Sequence, residues 1–290
     1  MTTQTPRIRS WPLMALLALA AVCFSAGWIE SLRGIDSNMA DLSLQYLPPS
    51  AAHWLGTDEL GRDVFLRLLY GGQISLTVAL LAGLAAGTIG TLVGMTAGYA
   101  GGRTDALLMR LTDLLISLPA LPLLIILAAM DLEKLGVSAE FAQSKYASLY
   151  KISILIALMG WTTLARLARA RTLVLRQSDF VRAAHALGVS HARILLRHIL
   201  PNILNTVSVA VTLAVGHIIL MESVLSFLGL GIQPPLPSWG NMLSHAQDQM
   251  WDQPRQMIYP GALIFMTVLC FNFMGDKLQD RFDPRSLNRR

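Results

Sequence analysis

Charge is what this chain has least of. Only 14% of its 290 residues are Asp, Glu, Lys or Arg, against about a quarter in soluble domains. Together with 53% hydrophobic residues and a mean hydropathy of +0.51, that shortage excludes an ordinary soluble domain. Cysteine is nearly absent. Cys23 and Cys270 both sit inside apolar runs, so neither a disulfide framework nor a cysteine metal cluster is expected. Lysine occurs only at Lys134, Lys145, Lys151 and Lys277, and none of these stands in G-x-x-x-x-G-K-[ST], so the chain cannot cradle a nucleotide by the usual loop. G-x-S-x-G and H-E-x-x-H are missing too, and nothing pairs the scattered serines and histidines into an intramembrane hydrolase. No catalytic residue, bound cofactor or metal site is therefore expected. The net charge of +5 does not by itself imply nucleic acid, because in a membrane protein cytoplasmic loops are the first place for basic residues.

What the chain does have is long apolar runs, and they predict an all-α, polytopic membrane protein with six transmembrane helices. A span needs about 20 apolar residues. The runs are Trp11 to Ile29, Ile74 to Gly98, Ala106 to Met130, Ile152 to Ala170, Asn202 to Phe227 and Met257 to Gly275. The first follows Arg7 and Arg9 and is read as an uncleaved span; small Ser25 and Ala26 leave a cleaved signal peptide as the alternative. Residues 30–73 are polar, broken by Pro48-Pro49, and expected outside at the membrane surface. In the second run Gly83, Gly87, Gly90, Gly94 and Gly98 recur at spacings that let helix backbones approach closely in lipid. Pro119 and Pro122 predict a kink in the third. The fourth is short between charges, so Lys151, Arg166 and Arg169 must snorkel or face partners. His217 and Glu222 are ionisable groups deep in the fifth, where such groups line a cavity or find a partner. His217, Met221 and Glu222 are thus candidate pathway-lining residues, with a structural hydrogen bond the alternative for Glu222. His217 and Met221 stand at i and i+4, a spacing more often packing than a soft metal site. Residues 229–256, rich in Gly and Pro, suit an outer re-entrant or surface loop with Trp239 and Trp251 at the interface.

Orientation follows from the basic residues. With both termini cytoplasmic, only Arg33, Arg62, Arg67, Lys134, Lys145, Lys151 and Arg255 of the 23 Lys and Arg fall outside, as the positive-inside rule requires. This choice puts the loop 171–200 in the cytoplasm. Within it, Asp179 to Pro201 reads D-F-V-R-A-A-H-A-L-G-V-S-H-A-R-I-L-L-R-H-I-L-P. Phe180, Ala183, Ala184 and Leu187 recur at helical spacing, Gly188 interrupts, Ser190 offers an N-cap, and Ile194, Leu195 and Ile199 resume the pattern. Two short amphipathic helices hinged at Gly188 are predicted, with Pro201 in the first turn of span five. By pattern alone, a solvated basic loop is an equal reading.

The run Ala183-Ala184, Gly188, Ile199-Leu200-Pro201 resembles the EAA loop of permease subunits of ATP-binding-cassette importers. Arg182 stands where that family has Glu. H-W-L-G-T-D-E-L-G-R-D-V at 53–64, L-S-F-L-G-L-G at 225–231, P-S-W-G at 237–240, F-N-F-M-G-D at 271–276 and R-F-D-P at 281–284 are similar to the oligopeptide/dipeptide/nickel branch, the subunit type called OppC or DppC. The resemblance covers residues 50 to 285.

That resemblance implies a type I importer permease fold. Residues 1–73 would be a first span and exported segment, 74–285 a permease core with the coupling loop, and 286–290 a cytoplasmic tail. It implies a bacterial inner-membrane subunit that pairs with a homologous permease and with one or two cytoplasmic ATPases carrying ATP and Mg. A periplasmic or lipid-anchored solute-binding protein would deliver the substrate. Asp179, Phe180, Arg182, Ala183, Ala184, Leu187, Gly188, Ser190, Ile194, Arg197 and Pro201 would form the ATPase-coupling set. Peptides are the expected substrates, closest to the oligopeptide type, with a nickel or metal chelate as the alternative. A passive channel or membrane scaffold is the reading from another class.

Overall fold

The computed structural model describes residues 11–282. Arg7, Arg9, Arg285, Arg289, Arg290, the 286–290 tail and the end of the R-F-D-P run lie outside them. The described residues form twelve α-helices: α1 (Trp11–Phe24), α2 (Ala26–Arg33), α3 (Val64–Ala100), α4 (Gly102–Ser117), α5 (Ala120–Ala129), α6 (Ala139–Ala142), α7 (Ala147–Arg176), α8 (Asp179–Ala186), α9 (His191–Ile194), α10 (Leu200–Phe227), α11 (Trp239–Ala246) and α12 (Arg255–Phe282). No strand is present among the described residues beyond one isolated bridge, Thr57 to Asp63.

Four helices are long and apolar enough to cross a membrane: Val64–Ala100, Ala147–Arg176, His191–Phe227 and Arg255–Arg281. Two bent pairs, α1 with α2 at 46° and α4 with α5 at 84°, raise the count to six if each is one span. The sharper bend has a covalent cause. Pro119 has no N–H to continue the helix, and its ring drives the preceding residue out of the α region; Leu118 sits at ψ 138 and Pro119 at ψ 113. The expected kink is a full break.

The second span starts earlier than its charge-free run. α3 begins at Val64, capped by Asp63, whose carboxylate accepts from the Leu66 N–H at 2.9 Å. It runs unbroken across the boundary expected between residues 73 and 74. Arg67 hid this start from the sequence, yet it is buried in the helix because Asp58 lies 3.4 Å away.

Close helix crossings build the core. A Cβ at Gly83 or Gly87 would come within 2.7 Å of Val215 or Val211 of α10. Farther along, a Cβ at Gly90, Gly94 or Gly98 would sit 2.6, 2.1 or 2.8 Å from the backbone oxygen of Trp161, Ala165 or Arg169 of α7. One stripe thus seats α3 against two neighbours. The charges around the fourth span find partners on the broken helix. Lys151 Nζ donates to the Ala128 and Met130 carbonyls at 2.5 and 2.6 Å. Arg169 makes a two-point contact with Asp105, and Arg166 pairs with Asp113.

The segment 229–256 contains α11, which packs inward. Trp239 is 0% exposed and its indole N–H donates to the Leu68 carbonyl at 3.0 Å. It is a core residue and not the interface anchor expected; Trp251, exposed, fits that description. A capping box between Ser238 and Asn241 starts α11. Just beside it, Glu222 is fully buried, its carboxylate accepting from Ser226 Oγ at 2.7 Å and Ser75 Oγ at 3.0 Å. Those hydroxyls accept in turn from the N–H of Ile232 at 3.0 Å and of Trp239 at 3.3 Å. Glu222 therefore knits α3, α10 and the 229–239 segment together.

Two stability predictions follow from these contacts. Gly94→Ala should abolish stable insertion or shift the detergent melting temperature down strongly, because the new carbon meets backbone and not a movable side chain; an unchanged melt would refute the close crossing. Glu222→Leu should cost about 2–6 kcal/mol by stranding two buried hydroxyls, at about 1–3 kcal/mol for each, whereas Glu222→Gln, which keeps an acceptor, should lose less in the same melt.

Candidate functional site

The coupling loop is built on a small core of its own. Val181, Ala184, Ile194, Ile199 and Ile203 are buried together with Met95 of α3 and Ala168 of α7. Ala184 and Ile194, two of the expected coupling residues, therefore face inward, and their side chains hold the loop against the bundle. The opposite face of α8 is open. Phe180 is 44% exposed and Leu187 83% exposed, with Ala183 and Gly188 exposed beside them, while Arg182 is exposed on the other flank of the helix. Phe180 and Leu187, seven residues apart, lie on one side of the helix and form its exposed apolar edge.

Gly188 ends α8 with φ +74, and its N–H donates to the His185 carbonyl at 3.0 Å. A Cβ there would meet nothing within 4 Å. The restriction is thus conformational and not steric, because an L side chain in the left-handed region costs about 1–2 kcal/mol. Ser190 precedes α9 in extended conformation but makes no side-chain cap.

Beyond Ser190 the structure departs from the expected second short helix. α9, a π turn at Leu195–Ile199 and α10 run on as one helix, His191–Phe227. Pro201 stands in the first turn of α10, as expected, although the helix runs on unbroken behind it. Its ring would clash with the carbonyl four residues back, and it has no N–H to offer that carbonyl. The backbone responds by widening: the Leu200 N–H donates to Leu195, five residues back, as π-bulges do. Arg197 is exposed on this turn, while Asp179 is exposed at the first turn of α8 and lies 3.6 Å from Arg182.

The second candidate feature is a cavity of about 530 Å³ where the α4–α5 break meets α7 and α10. Leu118 and Ala120 flank the break, Gly160 and Thr163 line one side, and His217 and Met221 the other. His217 is the one ionisable group among the lining residues. Glu222 is not on this wall. One residue past Met221 the helix has turned by about 100°, which aims Glu222 into the serine cluster instead. Of the three pathway candidates, the structure brings two to a common cavity.

Sequence reasoning missed a third constellation. The G-T-D-E-L-G-R-D run, read only as a signature, folds into a buried ionic clasp. Asp63, besides capping α3, is 3.0 Å from His53 Nδ1 and 3.4 Å from Arg33. Arg62 pairs with Asp58 at 2.8 Å and Glu59 at 3.1 Å, and Gln256 of α12 donates to the Thr57 carbonyl at 2.7 Å. Gly61 has φ +74, and a Cβ there would strike the Asp41 carbonyl oxygen. Nearby, the Ser43 hydroxyl and N–H hold the Asp41 carboxyl below the usual carboxylate range. Three acids and an arginine gathered around two glycines, Gly56 and Gly61, were the available signal.

Comparison with known proteins agrees with this architecture. Residues 90–288 match the family described as binding-protein-dependent transport system inner membrane component. The chain is 41% identical over 274 residues to the probable D,D-dipeptide transport system permease protein DdpC of Escherichia coli, covering 94% of this chain and 86% of that one. It is 42% identical over 233 residues to the oligopeptide transport system permease protein OppC of Haemophilus influenzae, covering 80% and 70%. To the glutathione transport system permease protein GsiD of Pectobacterium atrosepticum it is 38% identical over 271 residues, covering 93% and 84%. A membrane-embedded helical bundle, a loop projecting from two of its spans and these matches lead to one statement: this chain belongs to the inner-membrane permease family of binding-protein-dependent ABC importers, in its OppC/DppC-like branch.

Proposed function

We propose that the chain forms half of the translocation pathway of an ATP-driven peptide importer and is moved through its coupling loop. The observation that carries this is the two-sided construction of α8. One face is locked to α3, α7 and the root of α10 through a buried core, and the other offers Phe180, Ala183 and Leu187 to a partner. A push on the exposed face then reaches α7 and α10 as displacement of rigid helices, and those helices form walls of the cavity at the α4–α5 break.

In this reading the exposed face docks on a cytoplasmic ATPase that binds ATP and Mg, both termini are cytoplasmic, and each bent helix pair counts as one span. Arg197 contributes electrostatic fit. A homologous permease supplies the facing half of the pathway. Nucleotide can shift such a transporter between inward- and outward-open states only through contacts that differ between them. The cavity wall of this chain is mostly apolar, with His217, Thr162 and Thr163 as its polar groups. A wall of this kind carries no charge of one sign to select a particular side chain. It suits a varied peptide whose selection happens earlier, on a solute-binding protein. The named relatives, permeases for D,D-dipeptides, oligopeptides and glutathione, favour that substrate class.

Leu187→Glu should leave insertion and melting unchanged and reduce both ATPase co-purification and peptide uptake at least about tenfold, the scale of a lost interface hot spot. A chain that inserts but purifies alone, with or without the substitution, would mark a channel or scaffold. For the substrate, a deletion strain should lose growth on di- and tripeptides as nitrogen source while nickel-enzyme activity persists. The reverse pattern would overturn the peptide reading in favour of a metal chelate.

A further inference from the structure

The inner side of the coupling loop leaves a second opening. Between the ends of α3 and α7 and the flank of α8 lies a cleft of about 750 Å³, lined by Tyr99, Ala100, Arg176, Arg182, His185 and His191 among others. No acidic residue is among the groups that line it. The Arg176 guanidinium lies over Gly101, 2.8 Å from where a Cβ would be. Arg182 rests one edge on the Gln177 carbonyl at 3.0 and 2.7 Å and keeps its side chain 70% exposed, with Asp179 3.6 Å away. Tyr99 Oη and His191 Nδ1 are 2.8 Å apart, and the rings of His185 and His191 lie 5.1 Å apart. Two guanidinium groups and two imidazoles converge on one opening without a counter-charge lining it.

A separate observation says what sort of anion fits. Ala100 ends α3 at the cleft, and the same face of α3 runs back along the span through exposed Leu92, Ile89, Leu84 and Leu81. Thr88 and Thr96, on that face, turn their hydroxyls to the helix's own carbonyls at 2.8 Å. The stripe therefore presents only apolar surface for most of the membrane's depth and ends on arginines.

We infer that this cleft binds the headgroup of an anionic phospholipid, whose acyl chains lie along the exposed stripe of α3. Arginine pairs with phosphate through two parallel N–H donors, and Arg176 and Arg182 come from the two elements, α7 and α8, whose relative position the coupling loop sets. A bound headgroup would tie the loop to the ends of the spans from the side opposite the exposed Leu187.

The test is lipid retention by the purified full-length permease in its complex, extracted from vesicles of phosphatidylcholine mixed with phosphatidylglycerol and read by native mass spectrometry. Phosphatidylglycerol should be retained preferentially. R176Q/R182Q should lower retention roughly thirtyfold, at about 1 kcal/mol for each cation near the surface, while R176K/R182K should keep most of it. R110Q/R171Q removes two exposed cations outside the cleft and should change nothing. Three results would overturn the inference: no preference for the anionic lipid, equal loss in both glutamine pairs (diffuse surface charge), or displacement by free glycerol phosphate at concentrations matching the lipid (a soluble anion site). All four proteins should elute as the intact complex, which separates a lost site from lost folding.

Discussion

The contact that the rest of this molecule depends on is the crossing of α3 on α7, where three glycines bring a helix surface against the backbone oxygens of its neighbour. In lipid there is no gain from hiding apolar side chains from water, so helices hold together through van der Waals contact at short range and through hydrogen bonds. A stripe of Gly90, Gly94 and Gly98 maximises the first. The serine and carboxylate cluster around Glu222 supplies the second, at the other half of the same helix. Between them, α3 becomes the element to which α7 and α10 are both fixed.

That rigidity ties the loop 171–200 to the rest of the bundle. α7 runs from Ala147, near which Lys151 closes over the end of α5, to Arg176 at the loop. α10 is continuous with α9, so the loop's far end is already the root of a span. The π turn that accommodates Pro201 sits at this root, between the loop and the cavity. The break at Pro119 faces the same cavity from the opposite side. Two prolines thus account for two of the places where the bundle departs from straight helices, the break between α4 and α5 and the π turn before α10.

The segment that precedes α3 is held differently. Isolated surface ion pairs contribute little. The clasp around Asp58 and Asp63 avoids that weakness by burial: both carboxylates are nearly inaccessible and each has backbone donors as well as arginines. It anchors the start of α3 against α11 and α12, at the other end of the helix from Met95, which packs against the loop.

Much of this was legible from residue order alone. Scarcity of charge and the length of the apolar runs settle that the chain is a helical membrane protein, because an unpaired backbone cannot exist in lipid. The alternation at Phe180, Ala183, Ala184 and Leu187 marks α8, and Gly188 its end, since only glycine adopts a positive φ freely. Residue order could not say which apolar residues of that helix face a partner. Ala184 and Leu187 are equally apolar, and only packing against Met95 and Ala168 buries the first and leaves the second in the open. Nor could it place Glu222, whose serine partners lie 147 residues away as well as one turn on. The early start of α3 was hidden for the same reason: Arg67 looks like a terminus until Asp58 folds back to neutralise it. Local chemistry determined the elements and their ends; pairing across long separations in the chain decided which faces are free to act.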